Sequence, residues 1–194
     1  MQQENTYPEK RPVKKPLGKL VLAHLGGWLM ALIFCIGLTP WMINNMVYVC
    51  IPVVLFLYSI PIYRNLWALG HEDYNLARFG HIKLDRTRGL KLAILLYAPY
   101  LLLGVLLILS KFNLFPWSFV ALYKILNAQL WPIINAIQIS WYMTQYTVWQ
   151  ALIVGLLPLL SVGIAAGAYL LGTYDFALYQ RLVYKNEKNK SEKK

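Results

Sequence analysis

Four long apolar stretches, each bounded by polar or turn-forming residues, dominate the chain. The first runs from about Leu17 to Leu38 and the second from about Val47 to Tyr63. Thr39-Pro40-Trp41 and Asn44-Asn45 lie between them without any charge, a spacing that predicts a tight helical hairpin. A third stretch covers about Leu90 to Leu109 and a fourth about Val148 to Gly172. Each is close to the ~20 residues a helix needs to cross a hydrocarbon core ~30 Å thick.

The expected fold class is therefore all-α: a polytopic helical membrane protein with four transmembrane helices. The layout is a basic tail over residues 1–16, a first hairpin over 17–63, a basic loop over 64–89, a second hairpin over 90–172 and a basic tail over 173–194. The connection from Arg64 to Lys91 carries Glu72, Asp73 and Asp85 together with six Lys or Arg. Such a segment belongs in water or at a headgroup surface.

Composition agrees, since 58% of the residues are hydrophobic, well above the ~45–50% of a soluble domain. The net charge of +11 would suit nucleic acid, but the basic residues flank apolar stretches and do not form a recognition domain. Of the 19 Lys and Arg, all but Lys111 and Lys124 lie up to Lys19, between Arg64 and Lys91, or after Gly172. The positive-inside rule then puts both termini and the middle loop in the cytoplasm and requires an even number of spans. A bacterial plasma membrane is the expected location, with anionic lipid headgroups as partners of the basic face.

Ser118 to Ile139 is apolar enough to pass for a fifth span, but a fifth crossing would place the basic tail outside. The expectation is an amphipathic or re-entrant segment at the outer face, over about 115–145. On one continuous helix Lys124, Asn127, Asn135 and Gln138 would share an arc of about 80°, a candidate polar stripe. Trp117, Tyr123, Trp131, Trp141, Tyr142, Tyr146 and Trp149 crowd the same region, as amphipathic rings do at a membrane interface.

An internal echo follows the second and fourth stretches. Leu69-Gly70-His71-Glu72-Asp73-Tyr74-Asn75-Leu76 and Leu171-Gly172-Thr173-Tyr174-Asp175-Phe176-Ala177-Leu178 both read Leu-Gly-x-x-Asp-aromatic-x-Leu. The chain is a candidate for two parallel hairpin repeats, an arrangement that can place a site between halves. A plain alternative is that helices leaving a membrane favour Gly near the C-cap and a polar turn after it. Asp73 and Asp175 would then bond nearby amides or pair with Arg78 and Arg181.

Small residues suggest helix packing. Ala23, Gly27 and Ala31 recur every four residues in the first stretch, and Gly163 and Gly167 form a Gly-x-x-x-Gly pair in the fourth. They predict contact between those two helices, or an oligomer interface. Pro52, Pro99 and Pro158 fall inside spans and predict static kinks.

Little in the chain points to catalysis. His24 is the only ionisable side chain expected inside a span, where an interhelical hydrogen bond is its ordinary role. Cys35 and Cys50 read as buried thiols. His71, Glu72, Asp73 and His81 lack a metal-ligand spacing. No catalytic, cofactor or metal residue is assigned, and no cofactor or nucleic-acid partner is expected. The expected role is non-enzymatic: an accessory or scaffold component of a membrane complex that binds protein or lipid, with a membrane-protein partner or a second copy of itself. The alternative is a small transporter or channel for a solute that needs no intramembrane charge.

Overall fold

The computed structural model describes residues 14–43, 46–112, 114 and 119–175. Most of the two basic tails, Asn44 and Asn45 of the first turn, and residues 115–118 lie outside them, as do Phe176 to Leu178 of the echo and Arg181.

Every described element is helical. They are α1 (Lys14–Gly37), α2 (Thr39–Ile43), α3 (Val47–Arg78), α4 (Arg88–Lys111), α5 (Val120–Leu126), α6 (Trp131–Ile137), α7 (Val148–Leu156) and α8 (Pro158–Thr173), with single 3₁₀ turns at Ala128–Leu130 and Met143–Gln145. Among the described residues four helices are long and apolar enough to cross a membrane, α7 and α8 together forming the fourth.

The burial pattern explains what these helices suit. On α1 the inward positions are Leu20, His24, Gly27, Ala31 and Cys35. On α3 they are Val47, Cys50, Val54, Tyr58, Ile62, Leu66, Gly70 and Asp73. Steps of three and four trace one narrow stripe. Outside that stripe the helices remain apolar: Leu22 is 72% exposed, Phe56 67% and Ile36 62%. In water this would be an apolar surface far beyond what a soluble monomer carries. In lipid it is the surface that faces solvent, and the fold fits a multi-pass membrane protein.

One boundary differs from the sequence expectation. The second apolar stretch ends at about Tyr63, yet α3 continues to Arg78, so most of the expected loop over 64–89 is helix. Leu66, Gly70 and Asp73 continue the buried stripe, and no breaker intervenes until Gly80. There the backbone turns left-handed, with φ of +76°. His81 N bonds to Leu76 O and Gly80 N to Ala77 O, the Schellman arrangement that closes a helix on a glycine. At 32 residues α3 is about 48 Å long, so it reaches well past a ~30 Å hydrocarbon core. The loop proper shrinks to 79–87. Asp85 Oδ1 accepts from Thr87 N at 3.0 Å and from Thr87 Oγ1 at 2.6 Å, which turns the chain into α4.

In the bundle α3 and α8 make the most extensive contact, α1 packs on α3, and α4 packs on α7 and α8. Glycines set these crossings. A Cβ on Gly70 would collide with the carbonyl oxygen of Tyr169, and one on Gly172 with that of Trp67. Between α4 and α7, Gly104 faces Gly155, and a Cβ on Gly155 would lie 2.8 Å from Gly104 O. Between α1 and α3, a Cβ on Gly27 would lie 3.0 Å from Tyr58 O. Ala31 is buried beside it and Ala23 half-buried. The expected contact of Gly163 and Gly167 with the first helix is not formed: a Cβ on either would meet nothing within 4 Å. The α8 face that packs carries Ala165, Ala168 and Gly172 instead.

The prolines act differently from one another. α3 runs through Pro52 and Pro61 and α4 through Pro99 without a break. Pro158 instead divides the fourth long apolar helix, taking the first-turn position of α8 just after α7 ends at Leu156, where its missing N–H removes no helical bond.

Candidate functional site

The segment between α4 and α7 is not one helix. α5 ends at Leu126 and is capped by Asn127, a 3₁₀ turn follows, Pro132 lies in the first turn of α6, and Gln138 leaves it in extended conformation. The broken course carries the chain down into the bundle and back. Trp28 Nε1 donates to Ile125 O at 2.9 Å and Cys35 Sγ to Ala128 O at 3.2 Å. Trp28 lies about 13 Å along α1 from its end at Gly37, so Ile125 marks the depth of the dip. Tyr123 OH donates to Val154 O at 2.6 Å and holds the other side against α7.

The four candidate stripe residues are thereby separated. Lys124 is fully buried, with its ammonium donating to Ile139 O and Ser140 O, both at 3.0 Å, and lying 4.7 Å from the centre of the Trp141 ring. Asn127, also fully buried, donates to Tyr123 O at 3.2 Å. Gln138 donates to Gln145 O at 3.1 Å and closes the return loop. Asn135 lines a cavity. The stripe is a property of a continuous helix, and Asn127 and Pro132 prevent one.

That cavity opens at the end of the bundle opposite the 79–87 loop. It encloses about 390 Å³ and is lined by Thr39, Trp131, Asn135, Trp141, Tyr142 and Gln145, among others. Trp131 and Trp141 meet edge to face, 5.4 Å between centroids. Asn135 Nδ2 donates weakly to Met42 Sδ at 3.8 Å. Asn135 Oδ1 and Trp131 Nε1 are buried without a hydrogen-bond partner among the described residues. Buried polar atoms are normally paired; this acceptor and this donor sit a helical turn apart on two residues that line the pocket, and both atoms are themselves buried. The volume falls within the range of small binding clefts.

Deeper in the bundle three helices share a polar cluster that sequence inspection reduced to His24 alone. His24 Nδ1 bonds with the Tyr58 hydroxyl at 2.8 Å and Nε2 with the Tyr100 hydroxyl at 2.6 Å. The Tyr58 hydroxyl also bonds with that of Tyr97 at 2.6 Å. An imidazole with one N–H and one lone pair is matched by two hydroxyls, each able to give or accept. The arrangement cross-links α1, α3 and α4 and leaves neither ring nitrogen unpaired. The i,i+3 spacing of Tyr97 and Tyr100 on the third span was the available signal.

At the other end Asp73, Arg88 and Tyr169 form a second network. Arg88 Nη1 donates to Asp73 Oδ2, and Tyr169 OH donates to the same oxygen at 2.7 Å. Asp73 and Arg88 are almost fully buried, which a charge tolerates when paired and hydrogen-bonded. Asp73 therefore answers Arg88, at the start of α4, and not Arg78 as its own turn suggests. Asp175, the echo position, has a positive φ of 53° and lies 3.1 Å from His71 Nδ1, while the His71 ring stacks on Trp67. Nearby, the hydroxyl of Thr87, burial aside, does most to hold the Asp85 carboxyl down at about 2, with Lys91 and the Thr87 amide adding to it.

No protein-family model, curated protein or solved structure matches the chain.

Proposed function

We propose that this chain is a non-enzymatic membrane component that works by binding another protein, with the basic end in the cytoplasm and the aromatic pocket at the outer face of a plasma membrane. The observation that carries the reading is the pair of unpartnered buried atoms on two residues that line the pocket, Trp131 Nε1 and Asn135 Oδ1, which a docking segment would reach by displacing the rings around them. A polypeptide amide offers one C=O and one N–H, the complement of that donor and acceptor, and the surrounding rings suit an apolar anchor side chain. Support also comes from the bundle interior: Lys124 and His24 spend their polar capacity on carbonyls and hydroxyls of the chain itself. The two halves are read as parallel copies of one hairpin, a reading supported by the reciprocal approach of Gly70 and Gly172.

A transport role is favoured by one observation, the Gln129 side chain, whose two amide atoms are buried without a partner among the described residues. The two readings separate in one experiment. A photoreactive residue replacing Tyr142 is expected to trap a single protein of defined mass in intact cells, and Trp131→Phe with Asn135→Leu to abolish the adduct. Proteoliposomes of the purified chain should admit neutral solutes no faster than empty liposomes. No adduct together with solute entry would sink the binding role in favour of transport. The orientation is tested by Tyr142→Cys and Lys83→Cys in a background without Cys35 and Cys50: only the former should label from outside.

A further inference from the structure

We infer that the basic end carries a binding site for one anionic phospholipid, in the groove between α1 and α3. The groove encloses about 510 Å³ and is lined by Lys19, Ile60, Pro61, Arg64, Asn65 and Ala68. Its geometry follows from the crossing below it. Gly27 brings α1 onto α3, so that an added Cβ would touch Tyr58 O at 3.0 Å and Pro61 Cγ at 3.4 Å. Toward the basic end Leu20 still packs in the core, but the exposed Gly18 two residues before it has nothing within 4 Å of where its Cβ would be. The space that remains opens beside the exposed Lys19, Arg64 and Ala68.

The chemistry of the groove is graded along the membrane normal. Ile60 and Pro61 lie on the side of the hydrocarbon core and Arg64, Asn65 and Ala68 follow one to two turns nearer the basic end. An acyl chain fits against the first pair. Lys19 and Arg64 are both exposed and supply two positive charges where a headgroup phosphate would sit, and among the described residues no acid lines the space. The guanidinium can hold two phosphate oxygens at once while the ammonium acts as a point charge. The Asn65 amide is fixed by donating to Pro61 O at 2.7 Å and walls the site on the polar side. A zwitterionic lipid would bring its own cation against Lys19 and lose the advantage, so the site selects net negative charge.

The inference rests on the chain being embedded in a bilayer, and not on the partner assigned to the opposite pocket. Native mass spectrometry of the full-length protein, released from bilayers holding equal phosphatidylglycerol and phosphatidylcholine, tests it. Two basic contacts predict roughly thirtyfold preferential retention of phosphatidylglycerol. Lys19→Ala with Arg64→Ala should reduce that preference to about twofold or less, whereas Arg78→Ala with Lys83→Ala, which removes equal charge from exposed positions elsewhere on the same end, should preserve it. Equal loss in both double variants would overturn the site in favour of general surface charge. Inorganic phosphate that displaces the retained lipid would overturn it in favour of a free phosphate site. A chain that stays dispersed in water without detergent would sink the membrane reading itself.

Discussion

Gly70 on α3 and Gly172 on α8 occupy each other's space reciprocally. Each lacks a Cβ where the carbonyl oxygen three residues before the other glycine passes, Tyr169 O for Gly70 and Trp67 O for Gly172. The backbone amides just after them are the next nearest atoms, Thr173 N at 3.1 Å and His71 N at 2.9 Å. The echo in the sequence therefore has a physical basis at its glycine position: two helices of the same direction cross there backbone to backbone, which only glycine on both sides permits.

Gly70→Ala and Gly172→Ala are each expected to force α3 and α8 apart and to cost about 1–3 kcal/mol or more. Gly163→Ala, on the same helix but with open space around it, should leave the thermal midpoint in detergent within a degree or two, or raise it slightly through helix propensity. Equal loss at Gly163 and Gly172 would show that the crossing does not hold the bundle.

The His24 cluster predicts non-additivity. Tyr58→Phe removes the hydroxyl shared by His24 and Tyr97, and His24→Ala removes the ring that joins Tyr58 to Tyr100. Each should lower stability by about 1 kcal/mol, in keeping with polar contacts inside membrane bundles. The double variant should lose clearly less than the sum, since both changes break the same bond. Additive losses in a steric-trap or denaturant titration would mean that the two side chains act independently.

Asp85 predicts a pH dependence with a definite sign. Its folded carboxyl is held down at about 2, below the ordinary 3.8, so folding favours the ionised form. The resulting stability is fully present above about pH 4 and is lost as the pH falls through about 2. Wild type should therefore exceed Asp85→Asn by a constant margin near neutrality, and the two should converge in strong acid. Thr87→Val, which removes the 2.6 Å hydroxyl donor, should shift the convergence upward. A margin that persists below pH 2 would exclude the carboxylate as its source.

The sequence by itself determined the helical class and the positions of four apolar stretches, because a run of about twenty apolar side chains between polar turns has the length and composition of a helix that satisfies its backbone internally. It also marked His24 and the Gly70/Gly172 echo as places where something specific happens. Only the tertiary structure decided what meets what. The pairing of Asp73 with Arg88 and Tyr169, the link from His24 to Tyr58 and Tyr100, and the choice of Gly104 and Gly155 over Gly163 and Gly167 as contact points all join residues far apart in the chain. In a helix that is apolar on every side, periodicity cannot separate the face toward a neighbouring helix from the face toward lipid. The polar stripe failed for a related reason. It assumed a continuous helix, and the space between α1, α3 and α4 broke the segment at Asn127 and Pro132, leaving Asn135 in the pocket and burying Lys124.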